Sequence, residues 1–433
     1  MFGLNVENGD DMAKVNLARG MRDILPSTLR KRRKVIQIIE KVFESFGFEA
    51  LETPAVERIE TLMGKYGDEG NKLIFRILAR GKDGEQGKTD LALRYDLTVP
   101  LARVAAMNQQ LVLPFKRYQI QPVWRADRPQ RGRFREFFQC DVDVVGTENI
   151  LAEAECLTIV HESLVVLGFE AFKIRLNDRK ILRAMVEQCG AGEREVAVLV
   201  AIDKLDKIGE EGVRKVLLQG EFSIEQVDAL FEMLNTGKIN GIEAELANLE
   251  AIKEMAVAMG VHPDRLVIDF TLARGLDYYT GPVFETIFTD DNIGSISGGG
   301  RYDGLIGMFG KKDVPAVGVS LGLERLITIM EERGMLSEDA AVDLWVTVFD
   351  ADLHKDSLQI AQAFRKSGIR TMVSMRSGKL KKQFKDAHKA GAKWVVVYGS
   401  DDKEKGVVLL KNLERGEQYS LPLVEAVQKV LEL

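Results

Sequence analysis

Apolar residues recur at helical spacing over residues 27–46. Leu29, Val35, Ile38, Ile39, Val42, Phe43 and Phe46 share one face, and Ser27 or Thr28 can cap the start. Gly47 ends that helix. Residues 48–53 then read as a strand, halted at Pro54. Residues 91–94, 114–124 and 136–145 are apolar or alternating runs of strand type, bounded by Gly and Pro. Residues 150–167 return to helical spacing and 172–176 to a short strand. Helices mixed with antiparallel-type strands predict an α+β domain.

From about 180 to 260 the pattern changes. Prolines are absent, glycines fall mostly in connections, and Leu, Val, Ile and Met recur every third or fourth position (Val213, Val216, Leu217; Val227, Leu230, Leu234; Ile242, Leu246, Leu249, Ile252). This predicts a helical insertion. Strand signals resume at 266–270, so the insertion interrupts one domain rather than separating two. A further unit begins near Val342, with strands at 344–349, 371–374, 394–398 and 407–410 and helices at 357–366, 379–389 and 423–431. That alternation predicts a small, mostly parallel sheet with helices on its faces, an α/β unit. The acidic residues Glu331, Glu332, Glu338 and Asp339 mark the boundary. The expected domains are therefore 1–335, with its insertion at about 180–260, and 341–433.

Composition narrows the class. The chain has 433 residues, too many for one ordinary core, with 45% hydrophobic and 29% charged residues, as in a soluble globular protein. No apolar run reaches the length of a membrane span, and the polar, acidic start is unlike a signal peptide. Three cysteines without metal-type spacing suit a reducing, cytoplasmic setting. The four histidines lie far apart and form no zinc motif, so no metal site is expected. A net charge of −6 argues against nonspecific coating of nucleic acid, although local basic tracts could still hold one. Residues 30–34 and 379–385 are such tracts; taken alone, the favoured reading of each is a solvated helix face.

Three segments carry the chemistry. The stretch 274–285 (Arg-Gly-Leu-Asp-Tyr-Tyr-Thr-Gly-Pro-Val-Phe-Glu) sets an arginine, an acid and two tyrosines between glycines, and 297–304 (Ser-Gly-Gly-Gly-Arg-Tyr-Asp-Gly) follows it. Core segments do not spend glycine this way, so the chain is expected to pass close to a polar ligand. Residues 116–137 read strand, loop, strand, with Arg125, Arg128, Arg131, Arg133 and Arg135 crowded around the turn. Five like charges call for an anion, and the planar guanidinium fork suits phosphate; the plainer alternative is a solvated turn. Residues 318–325 (Gly-Val-Ser-Leu-Gly-Leu-Glu-Arg) form a glycine-spaced strand entering a helix, which can lie against a flat ligand.

These segments resemble the signature motifs of class II aminoacyl-tRNA synthetases. Residues 46–54, ending in Pro54, resemble motif 1. The arginine hairpin resembles motif 2, and 318–325 resembles motif 3. The stretches 274–285 and 297–304 are similar to the two signature peptides of the histidyl-tRNA synthetase family. Residues 20–26 (Gly-Met-Arg-Asp-Ile-Leu-Pro) resemble its N-terminal signature. Residues 93–98 (Leu-Arg-Tyr-Asp-Leu-Thr) resemble its amino-acid-binding strand, in a eukaryote-like form.

The resemblance implies a class II catalytic domain built on an antiparallel sheet, followed by an anticodon-binding-type domain. It implies ATP-dependent activation of L-histidine and transfer to tRNA(His), in a cytoplasmic homodimer whose interface includes motif 1. Magnesium is expected to arrive with ATP. By this likeness Arg125 binds the α-phosphate, Arg133 the β/γ end, and Asp127 the adenine amino group, with Phe137 and Arg325 stacking on the base. Arg274 is the catalytic arginine at the α-phosphate. Asp96, Thr98 and Gln139 hold the amino and carboxylate groups of histidine, and Asp143 and Tyr279 its imidazole. Tyr278 joins this set, although an extended segment would turn it away from Tyr279. An aspartate at 127, where many family members carry glutamate, leaves the adenine contact one methylene shorter. The nearest alternative is a non-catalytic paralogue, such as the regulatory subunit of ATP phosphoribosyltransferase.

Overall fold

The computed structural model describes residues 16–273, 278–310, 312–337, 340–349 and 351–432. The chain divides into two compact units, one of Met1–Ile24 and Arg32–Leu336, the other of Leu25–Lys31 and Ser337–Leu433.

The first unit is built on an eight-stranded sheet. Its strands are β1 (Glu49–Ala50), β2 (Phe115–Trp124), β3 (Glu136–Val145), β4 (Phe172–Asp178), β5 (Leu266–Ile268), β6 (Pro282–Phe288), β7 (Ser297–Arg301) and β8 (Ala316–Gly322). Their order across the sheet is β1-β2-β3-β8-β7-β6-β4-β5. The six central strands pair antiparallel; only the edge strands β1 and β5 run parallel to their neighbours. The predicted strand at 48–53 shortens to two paired residues at the sheet edge. Its continuation is lost because Thr53 donates its amide to the Gln121 side chain (3.2 Å) and Pro54 has no amide to give. Of the predicted strand 91–94, residues 91–93 belong to a separate three-stranded sheet of Val56–Arg58, Arg76–Leu78 and Thr89–Leu93, and Arg94 lies just beyond it.

The large sheet has two unlike faces, which follows from strand periodicity. On β3, Cys140, Val142 and Val144 point to one side and join the main core with helices α1 (Pro26–Ser45) and α3 (Leu151–Val166), while α2 (Thr98–Met107) lies between them in the chain and packs elsewhere. Gln139, Asp141 and Asp143 alternate with those residues and face the other way. The insertion is helical as expected: α4 (Arg179–Gln188), α5 (Glu195–Ile202), α6 (Leu205–Gln219), α7 (Ile224–Thr236) and α8 (Glu243–Ala258). Asp178 caps α4 through the Lys180 amide, and Ser223 with Gln226 forms a capping box at α7. The first unit ends with α9 (Leu323–Glu332), entered directly from β8.

The second unit holds a five-stranded sheet of β9 (Leu344–Val348), β10 (Thr371–Ser377), β11 (Trp394–Val397), β12 (Val408–Asn412) and β13 (Gln418–Leu421), in the order β10-β9-β11-β12-β13. Helices α10 (His354–Lys366), α11 (Leu380–Lys389) and α12 (Leu423–Leu431) complete its cores. The sheet is less parallel than expected. β9 pairs parallel with β10 and β11, but β11–β12 and β12–β13 are antiparallel. The connection after β12 is too short for a crossover, which needs about a dozen residues, and the one after β11, which carries the short helix Ser400–Lys405, falls just below that length. Among the described residues no helix is long and apolar enough to cross a membrane.

Candidate active site

The polar face of the large sheet floors a cavity of about 330 Å³. Strand register brings its floor together. Asp143 lies opposite Arg117 on β2 and Gly318 on β8, and Asp141 opposite Gln119 and Ser320. All these positions therefore face the same side. The cavity is lined by Asp96, Thr98, Arg125, Asp127, Arg133, Phe137, Gln139, Asp143, Tyr278, Tyr279 and Arg325. Every predicted site residue within the described structure is thus in one place. Arg274 lies outside the described residues.

One end is acidic and buried. Asp96 sits just before α2 and its Oδ1 accepts from the Val99 amide and the Tyr66 hydroxyl, both at 3.0 Å. Asp143 Oδ1 accepts from the Tyr302 hydroxyl, and Arg117 Nη2 stands 2.8 Å from Asp143 Oδ2. Arg117 is itself wholly buried, so it offsets the carboxylate from beneath the floor. Asp141, between the two, has Ser320 as a hydrogen-bond partner. Burial pushes Asp141 up to about 7, against the pull of Arg117, and raises Asp96 and Asp143 as well. Two acceptor oxygens here, Asp96 Oδ2 and Gln139 Oε1, are buried without a hydrogen-bond donor from the protein, while Asp143 Oδ2 is met by the Arg117 ion pair. A buried acceptor without a donor costs free energy, so such a group marks a place built for N–H donors.

The other end is cationic and aromatic. Arg125 donates from Nε to the Tyr95 carbonyl at 2.9 Å, and its guanidinium lies 4.3 Å from the Tyr95 ring centre and 5.2 Å from that of Phe137. Arg325 donates to the Ser295 carbonyl. Arg133 pairs with Asp127 at 3.0 Å. The crowding of arginines is partly met from within the fold: besides that pair, Arg131 is held by Asp291 and Glu332. The expectation that all five need an outside anion is corrected to that extent.

Two glycines make the floor possible. A Cβ on Gly318 would stand 1.9 Å from Asp143 Oδ1, and one on Gly300 would stand 2.9 Å from the Tyr279 ring. Tyr278 lines the cavity as well. The chain at 278–280 is a turn, with β6 starting only at Pro282, so the strand alternation that would send it away does not operate. Both tyrosines line the cavity, their rings 4.9 Å apart, and Tyr278 hydrogen-bonds Thr98. A second correction concerns the basic tract at 30–34. Arg32 is not solvated but buried, bonded to Glu324 through both terminal nitrogens.

Sequence reasoning missed Asp141, Tyr302, Ser320 and Glu285, and also Asp203 and Lys207 from the insertion, which all line the cavity. The alternation of β3 carried a signal for Asp141, since it lies midway between Gln139 and Asp143. For the insertion residues the sequence carried none. All three cysteines are free and buried, and none of the four histidines lines the cavity. Among the described residues no cluster of three or more His, Cys, Asp and Glu could hold a metal ion.

Comparison with known proteins decides the family. The histidyl-tRNA synthetase family model matches residues 20–326 and the anticodon binding domain model residues 340–433. The chain belongs to the histidyl-tRNA synthetase family. It is 38% identical to the histidine–tRNA ligase of Cytophaga hutchinsonii, over 97% of this chain and 100% of that protein. It is 39% identical to that of Aeropyrum pernix, over 95% of this chain and 97% of that protein. Among solved structures, histidyl-tRNA synthetase from a Nostoc species superposes with a TM-score of 0.80 at 30% identity, covering 97% of this chain and 100% of that one. An ATP phosphoribosyltransferase regulatory subunit/histidyl-tRNA synthetase from Bacillus halodurans, at 20% identity and a TM-score of 0.72, shows the shared fold alone. The family relationship therefore favours a synthetase over the regulatory paralogue.

Proposed function

We propose that the single cavity of the first unit carries both half-reactions of histidine–tRNA ligation. The chain is an aminoacyl-tRNA ligase: it joins L-histidine to ATP as histidyl-adenylate and passes the histidyl group to tRNA(His). The observation that carries the residue-level reading is the pair of donorless buried acceptors, Asp96 Oδ2 and Gln139 Oε1, in one cavity with the buried Asp143 carboxylate and Arg125. Histidine offers an ammonium and an imidazole N–H, the donors that these oxygens need.

In this reading Asp96, with Thr98 and Gln139, receives the amino and carboxylate ends of histidine. Asp143 takes one imidazole nitrogen and Tyr279 the other, with Tyr278 beside them. A site that pairs both ring nitrogens rejects apolar amino acids, because each would leave buried polar groups unpaired. Arg125 then holds the α-phosphate between the two substrates, and Arg133 the far phosphates once Asp127 turns to the adenine amino group. Phe137 and Arg325 enclose the base. Arg274 stabilises the charge that grows at the α-phosphate during transfer. The reaction is mainly one of positioning and charge stabilisation, so it uses no protein nucleophile. Magnesium enters as part of the nucleotide substrate.

We further assign catalysis to residues 1–335 and anticodon reading to 341–433. The exposed Lys381, Lys382 and Lys385 of α11, with Arg376 before it, contact the RNA backbone. The working form is a cytoplasmic homodimer, joined in part along the edge at β1. The test is exchange of labelled pyrophosphate into ATP. It should depend on histidine and on no other amino acid, and Asp143→Asn should abolish it. Histidine binding without exchange would instead favour a regulatory protein.

A further inference from the structure

The loop between β2 and β3, residues 125–135, carries Asp127, Arg133 and Phe134 into the cavity. Its own ladder is thin. Within it the Gln130–Arg133 bridge, the bond from the Arg125 amide to the Arg135 carbonyl (2.9 Å) and the contacts of Asp127 with the Arg133 and Arg135 side chains hold it closed. A loop of this length needs support to present side chains in one geometry. Arg131 anchors its tip to Asp291 and Glu332 and the Ala126 amide bonds the Leu73 carbonyl; the remaining support comes from the N-terminal segment.

Three contacts show this. The Arg135 amide donates to the Gly20 carbonyl at 2.9 Å. Gly20 has a φ of +80° and sits so close that a Cβ there would stand 2.8 Å from Arg135 Cγ and 2.9 Å from Pro129 Cγ. The Arg22 guanidinium lies over the Phe134 ring, 3.6 Å from its centre, and pairs with Glu324. Glu324 in turn accepts from the Phe138 amide at 3.2 Å and stands one residue before Arg325. Arg22 thus touches the loop on one side and the start of α9 on the other.

We propose that residues 20–22 form a strap that fixes the loop against α9, with Arg22 as a positioning residue for the nucleotide half of the cavity. This rests on the assignment of that half to ATP. Arg22 keeps about a third of its side chain exposed, and Glu324 retains Arg32 as a buried partner when Arg22 is removed. Loss of Arg22 therefore loosens the loop without unfolding the unit.

The test uses the full-length chain and two independent readouts. In histidine-dependent pyrophosphate exchange, Arg22→Ala should raise KM for ATP about tenfold or more, because small misplacements of positioning groups are costly. KM for histidine should stay within about twofold and the thermal midpoint should hold. Arg22→Lys keeps the charge but loses the planar guanidinium, so it should fall between. Phe134→Ala should reproduce the defect, and the double variant should be no worse than either single one. The second readout is brief trypsin digestion without ligand, which needs no activity. Cleavage after Arg131 or Arg133 should speed up about tenfold in Arg22→Ala. Unchanged cleavage overturns the strap even if the wild-type chain shows no exchange. A parallel rise in both KM values with a lower midpoint also overturns it, since that marks a merely structural residue.

Discussion

Asp143 is a carboxylate that the fold can hold only because of its neighbours. Arg117 offsets its charge, Tyr302 bonds one oxygen, and Gly318 leaves room for it. Gly318→Ala brings a methyl group to within 1.9 Å of Asp143 Oδ1 and 2.8 Å of the Val142 carbonyl. Something must shift, and the carboxylate is the freer partner. KM for histidine should rise about tenfold or more while KM for ATP moves less. Equal kinetics in the variant would contradict the placing of Asp143. Asp141 supplies a pH test. Burial lifts it to about 7, whereas an unfolded aspartate titrates near about 3.9. Between those values the folded chain keeps a proton that the unfolded chain has released, so this group's contribution to stability falls as pH rises. Asp141→Asn removes that penalty. Its midpoint relative to wild type should therefore climb from about pH 4.5 to about pH 8; a constant difference would contradict the raised value. At this scale Asp96, Gln139 and Asp143 were legible through the resemblance of their segments, and the structure gathers them in one cavity. The sequence was opaque for Arg117 and Tyr302, whose roles exist only through cross-strand register. Tyr278 joined the set on resemblance alone, and the chain before β6, which is not extended strand there, brings it to the cavity.

At the scale of elements, α1, β3 and α9 meet at one buried carboxylate. Glu324 at the start of α9 accepts from Arg32 of α1 and from the amide of Phe138 in β3. A buried pair adds little net stability, yet removing one member strands the other. Glu324→Ala should cost about 3–5 kcal/mol in denaturant titration of the first transition, and Arg32→Met with Glu324→Leu should recover most of it. A single variant within about 1 kcal/mol of wild type would contradict this junction. The helical and strand spacing of α1, α3, β2 and β3 was plain in the sequence, because each buries one apolar face. The burial of Arg32 was not, since a run of five basic residues looks like a solvated surface until its partner, 292 positions away, is known.

At the scale of the molecule, the boundary after Leu336 follows the change from glycine-punctuated strands to short alternating elements, and both family models respect it. The antiparallel end of the second sheet was hidden, because strand direction depends on connection length rather than on side-chain pattern. If the two units divide the labour as proposed, changing Lys381, Lys382 and Lys385 together to Ala should raise KM for tRNA about tenfold at moderate salt and leave pyrophosphate exchange untouched. Loss of exchange in that variant would place the lysines in the wrong half of the reaction. The most direct measurement of the central claim is a crystal soaked with histidinol and ATP. The account predicts the imidazole between Asp143 and Tyr279 and the α-phosphate against Arg125, within one cavity. Either molecule bound elsewhere, or the imidazole turned away from Asp143, would contradict it.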